Sequence, residues 1–89
     1  MYNMNNQRIY WSGTKSELLE LCYALHVCKL IEDYDGNTPT FLEICKMAFD
    51  YFEINSPQYP YLRICQMKQR KKKKASSLLY KSYKKVFES

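Results

Sequence analysis

The 89-residue chain has only two Gly and three Pro, too few turn residues to punctuate an all-β architecture. No apolar run approaches the roughly 18 residues of a membrane span, so membrane insertion is not expected. The four cysteines, Cys22, Cys28, Cys45 and Cys65, contain no Cys-x-x-Cys knuckle, which argues against zinc. They fall on or beside apolar stripes and are read as reduced core residues in a reducing compartment. The single histidine, His26, lies four residues after Cys22, but no second His or carboxylate completes a metal site. With no paired carboxylates beside it and no Gly-rich phosphate loop, neither an enzyme nor a cofactor is expected. The polar, Asn-rich segment Met1–Gln7 has no apolar core of a signal peptide, so a cytoplasmic protein is expected. Residues 1–8 are read as flexible.

What the chain does have is aromatic and apolar content, 46% hydrophobic with nine Tyr and four Phe, enough for one folded domain over residues 1–89. Its net charge of +5 is unevenly spread. From Arg63 onward there are ten Lys or Arg against one acidic residue, a balance of +9; Met1–Leu62 has four against eight, a balance of −4. A segregated positive field of this kind attracts a polyanion and releases its counterions, so nucleic acid is the leading partner.

The expected fold is all-α, a compact domain of three to four helices in a helix-turn-helix or winged-helix-like arrangement, preceded by a short extended arm. Arg8–Gly13 forms that arm, with Trp11 packed on the core. Thr14-x-x-Glu17 is a capping box that starts a helix running to about Lys29, with Leu18, Leu21, Cys22, Leu25 and Cys28 inward. Glu17 and Glu20 face elsewhere. Asp35-Gly36-Asn37 marks a turn. Pro39 and a second box, Thr40-x-x-Glu43, open a helix whose stripe is Phe41, Ile44, Cys45, Ala48, Phe49 and Phe52.

A third helix begins at Pro57 after Ser56, or up to three residues later, because Pro60 competes as a start. Turning Tyr61, Ile64 and Cys65 inward sets Tyr59, Arg63, Gln66 and Arg70 on the other side. Arg and Gln can pair with base edges, so Arg63, Gln66 and Arg70 are candidate base readers; a solvated polar face is the alternative. Lys68, Lys71, Lys72, Lys73 and Lys74 supply point charges for phosphate. Ser76 or Ser77 caps a last helix with Leu78, Leu79, Tyr83, Val86 and Phe87 inward and with Lys81, Lys84 and Lys85 extending the phosphate-binding surface. Periodicity leaves open whether the last two helices are separate or continuous.

Several motifs together, Trp11-Ser12-Gly13-Thr14-Lys15, the run Leu-Leu-Glu-Leu-Cys-Tyr-Ala-Leu from Leu18 to Leu25, Phe52-Glu53-Ile54-Asn55 and Lys68-Gln69-Arg70-Lys71, resemble the C-terminal domain of the RteC family. The resemblance spans about Ile9–Phe87. It departs at Ser76-Ser77-Leu78-Leu79-Tyr80 and at Pro60. It implies a transcriptional regulator of excision of tetracycline-resistance conjugative transposons in Bacteroides-type bacteria, with a winged-helix-like DNA-binding domain, although no pair of wing strands is legible here. The implied partner is double-stranded promoter DNA, with a homodimer or a further regulatory domain or protein also compatible. A protein- or RNA-interaction module with a basic helical surface is the rival reading.

Overall fold

Both capping boxes form as the sequence predicts, and they set the frame of the fold. The computed structural model describes residues 8–69 and 77–88. Its helices are α1 (Lys15–Val27), α2 (Phe41–Tyr51), α3 (Pro60–Lys68) and α4 (Leu78–Phe87), with no strand among the described residues. The expected all-α class holds, and the last two helices are separate. The expected flexibility of residues 1–8 falls outside the described residues except at Arg8, which donates to the Tyr51 carbonyl and pairs with Glu53 at 3.2 Å.

At the start of α1 the Thr14 hydroxyl accepts from the Glu17 amide at 3.0 Å, and Glu17 Oε1 accepts from the Thr14 amide at 2.8 Å. Thr40 and Glu43 repeat the arrangement on α2 at 3.1 and 2.8 Å. Each box satisfies two orphan donors of its helix. Pro39 therefore sits just outside α2 rather than opening it. At α3 the prolines resolve the other way, since Pro60 takes the first helical position with no side-chain cap before it.

Helices α1 and α2 both end with a residue in the left-handed region, Lys29 at φ 55° and Glu53 at φ 57°. The Leu30 amide reaches back to the Leu25 carbonyl and the Ile54 amide to that of Phe49, at 3.1 and 2.9 Å. These are Schellman closures without the usual glycine. In the turn between the helices, Asp33 Oδ1 accepts from the Asp35 and Asn37 amides, both at 2.9 Å, while Gly36 takes φ +83°. Only glycine adopts that angle without strain.

Helix α1 is the spine, and α2, α3 and α4 all pack on it. Leu18, Leu19, Cys22, Phe41, Ile44, Cys45, Phe49 and Ile64 form the buried core. Trp11, Leu25, Ala48, Phe52 and Met67 close its edges. The predicted stripe of α2 is thus correct, with Phe52 at its margin. On α1, Leu19 joins the core, Leu21 is half-buried and Cys28 is exposed. On α3 only Ile64 is buried; Cys65 is exposed, and Tyr61 stays exposed while its ring lies edge-on to Phe41 at 4.9 Å. Leu79, Tyr83, Val86 and Phe87 of α4, expected inward, are exposed, and none of the α4 side chains is buried. The helix lies on α1 by its polar side instead, with Ser77 and the first amides at Glu20 and Lys81 at Glu17.

All four cysteines are unpaired, so the reading of four core cysteines holds for two of them. Cys22 and Cys45 share a thiol–thiol hydrogen bond, and that bond together with burial pushes the Cys45 thiol well above its ordinary value. His26 is spent on structure, its Nδ1–H donating to the Pro39 carbonyl at 3.0 Å.

Candidate nucleic-acid interface

The Trp11-Ser12-Gly13-Thr14-Lys15 motif works as one unit at the foot of α1. Trp11 Nε1 donates to the Thr14 carbonyl at 2.8 Å, and its ring lies 5.9 Å from that of Phe52. A Cβ on Gly13 would stand 2.8 Å from Glu17 Oε1 and 3.1 Å from the Trp11 ring. Glycine there lets the Glu17 carboxylate and the indole close over the backbone. The second Glu17 oxygen is then free to meet Lys81 of α4 at 3.3 Å.

Among the described residues, four contacts, this one included, join the outer face of α1 to the basic C-terminal part. Arg63 donates to the Ser16 hydroxyl at 2.6 Å. Lys68 donates to the Tyr23 hydroxyl at 2.8 Å, its ammonium 4.9 Å from the ring centroid. Glu20 accepts from the Ser77 hydroxyl at 2.5 Å and from the Leu78 and Leu79 amides at 3.2 and 3.0 Å. Ser16, Glu17, Glu20 and Tyr23 follow one another at one, three and three residues, so they line one side of a helix. Cations from α3 and α4 converge on that seam.

Two ionisable groups record this convergence. The Thr14 amide, and next to it Lys81, hold the Glu17 carboxyl below its ordinary value. The hydrogen bond to Tyr23 raises Lys68, keeping its ammonium charged to higher pH than usual.

The seam also fixes where the chain leaves α3 and where it enters α4. Lys68 is held at Tyr23 and Ser77 at Glu20. These two α1 residues lie three apart, less than one helical turn. The segment between, with Arg70 and Lys71, Lys72, Lys73 and Lys74, lies outside the described residues. The residues on either side of it are held at neighbouring positions of one helix.

Of the other predicted contacts, Gln66 is exposed on α3. Lys84 pairs with Glu88 at 3.5 Å and lies over the Tyr80 ring at 5.8 Å, and Lys85 is exposed on the same helix. Arg63, Lys68, Lys81 and Lys84 thus each have a partner within the chain. Reading the sequence missed those on α1, Ser16, Glu17, Glu20 and Tyr23. The apolar stripe turns Glu17 and Glu20 away from the core, yet they are the only acids on a helix that has to pack against a strongly basic segment. That charge match was the available signal.

Among the described residues, no group of three or more His, Cys, Asp or Glu side chains is placed to hold a metal, and no helix is long and apolar enough to cross a membrane. No curated protein and no solved structure matches the chain. A family model described as RteC protein matches residues 2–86. With nearly the whole sequence inside that match, the chain belongs to the RteC family, whose members are tied to regulation of transposon excision.

Proposed function

We propose that this chain is the DNA-binding domain of an excision regulator and that it grips double-stranded promoter DNA at the α3–α4 junction. The observation that carries the reading is the pinning of Lys68 and Ser77 within one turn of α1. Ten cations follow Leu62, and five of them, Arg70 to Lys74, are consecutive. Fastening the residues that flank that run, Lys68 and Ser77, to one packed helix suits a phosphate clamp, because those flanks need no further ordering when DNA is bound. In this reading Lys68, Lys71–Lys74, Lys81, Lys84 and Lys85 hold phosphate, and Gln66, with Arg63 and Arg70, reads base edges. Arg63 leaves Ser16 to do so.

The connection from Phe52 to Tyr59 exceeds the three- or four-residue turn of a helix-turn-helix unit. The proposed grip therefore depends on the charge of the α3–α4 junction and on the exposed side of α3. No catalytic step is assigned to the domain.

The test is fluorescence anisotropy with duplexes from the promoter region of the source element and with random duplexes, across a salt series. Neutralising five or six phosphates gives a log–log salt slope of about −5. Absence of duplex binding at low salt, or single-stranded RNA or an acidic protein displacing duplex with preference, would overturn the proposal.

A further inference from the structure

After Glu53 the next acidic residue is Glu88, so α3 and the chain on both sides of it contain no carboxylate to repel a polyanion. Ile64 turns into the core and Met67 packs on its edge, which fixes the rotation of α3. At 100° per residue, Leu62, Gln66 and Gln69 then lie on the opposite side, with Tyr59 next to Gln66 and Arg63 on the border toward α1. All three are exposed, Leu62 by 53%. Gln69 follows the last helical residue but keeps helical dihedral angles, φ −80° and ψ −7°, so it continues the row. A single exposed leucine means little alone. Here its neighbours along the row are two primary amides, and that combination has a chemical counterpart.

We propose that this row takes the major groove of consecutive A·T base pairs, with Leu62 against a thymine methyl group and Gln66 and Gln69 on adenines. The inference rests on the proposed function and names the bases that α3 reads there. In the major groove thymine carries a C5-methyl group, an apolar surface that cytosine lacks. Adenine offers an N6 donor beside an N7 acceptor, which the one acceptor and the donors of a carboxamide match. Guanine presents two acceptors at the same edge, so one of them would face the amide oxygen. Arg63, on the border, is left for a flanking guanine.

Length agrees with this assignment. From Leu62 to Gln69 the helix rises about 10 Å, about three base-pair steps. The methyl group also favours DNA over RNA, because uracil has none and the deep, narrow major groove of an RNA duplex does not admit side chains.

The probe is the duplex that the whole chain enriches from a random-sequence pool, remade with deoxyuridine for thymidine or with 7-deazaadenine for adenine and titrated by fluorescence anisotropy. The enriched sequence should contain a run of about three A·T pairs. Loss of the methyl group under Leu62 should weaken binding about fourfold, the worth of one buried methyl group. Leu62→Ala should bind the thymine and uracil forms alike. It changes an exposed position, so it should keep the wild-type melting midpoint, and the wild-type comparison of the two duplexes needs no variant. Removing N7 should weaken the wild type but not the double variant Gln66→Ala, Gln69→Ala. Both the methyl group and N7 lie in the major groove, so an A·T preference made through minor-groove width would ignore both changes. A G·C-rich enriched sequence, equal wild-type affinity for the thymine and uracil forms, or a methyl response that survives Leu62→Ala overturns the inference while duplex binding, and with it the proposed function, stands. Failure to bind any duplex at low salt removes both.

Discussion

The carboxylate of Glu20 on α1 caps the first turn of α4, accepting from the Ser77 hydroxyl and from the amides of Leu78 and Leu79. Ser77 in turn accepts from the Tyr80 amide at 3.4 Å. Most of the orphan donors of α4 are thus met by one side chain from another helix, together with its own N-cap. Replacing Glu20 by Ala should cost about 1–2 kcal/mol, the worth of a good cap plus a carboxylate at a positive helix end. The loss should be local. Amide exchange should quicken at Leu78–Tyr80 while Leu19 and Phe49 keep their protection. Uniform loss of protection along the chain would show that α4 is not attached through Glu20.

The core makes a sharper demand on Phe49 than on Phe52. Phe49 is fully buried and Phe52 only half-buried at the margin against Trp11. Phe49→Ala should cost about 3–5 kcal/mol, with Phe52→Ala clearly below it. Urea unfolding checks both, as a fall in midpoint at constant slope. The reverse ranking would mean that α2 is rotated about its axis.

These contrasts also mark what the sequence made legible. Thr14-x-x-Glu17 and Thr40-x-x-Glu43 are local devices, so the starts of α1 and α2 were readable, and so was the strongly periodic buried face of α2. The end of α1 was placed two residues late because its closure uses Lys29 in a glycine-like conformation, a choice the residue type does not announce. Leu19 lies outside the single stripe because three helices rather than one pack on α1, which widens its buried face. The orientation of α4 was read backwards for a related reason. Periodicity reports which side of a helix is apolar, whereas Glu20 and Glu17, far away in sequence, decide which side meets the body of the fold. Of the candidate interface, the basic run and exposed Gln66 were visible in the chain, but the α1 seam that organises them is tertiary.

Lys29 offers a gain rather than a loss. It is exposed and sits at φ 55°, where a side chain crowds its own backbone. Lys29→Gly should stabilise the fold by about 0.5–1 kcal/mol, the relief outweighing the added freedom of the unfolded chain. A lower urea midpoint would mean that the Lys29 side chain makes a contact worth more than the strain.

Acid should loosen the foot of α1 through Glu17. Its folded value lies below the ordinary 4.5, chiefly through the Thr14 amide and then Lys81. A carboxyl with a depressed folded value gives stability that is present in full above 4.5 and is lost as pH falls through the folded value. Urea midpoints from about pH 6 to about pH 3 should therefore fall more steeply for the wild type than for Glu17→Gln, which has no proton to gain at that position. Parallel curves would remove Glu17 from the acid response.

Under the proposed function Glu17 also bears on DNA affinity, because it would compete with phosphate for Lys81. Gln at this position can still close the capping box, so Glu17→Gln removes the charge while leaving the start of α1 intact. If Lys81 holds phosphate, the variant should bind every duplex more tightly, by up to about fivefold at low salt, since an exposed ion pair is a weak competitor. Lys81→Gln should weaken every duplex and flatten the log–log salt slope by about 0.9, one phosphate contact. In the double variant the Glu17→Gln gain should vanish, because the cation it frees is gone. Gln66→Ala should behave differently, losing about 1–3 kcal/mol on the preferred site and far less on random duplex. Anisotropy titrations of the four variants on both duplexes separate the roles. A Glu17→Gln gain that survives the loss of Lys81 would show a general field effect of the acid rather than release of that lysine, and equal losses for Gln66→Ala on both duplexes would leave the domain an electrostatic clamp that reads no bases through α3.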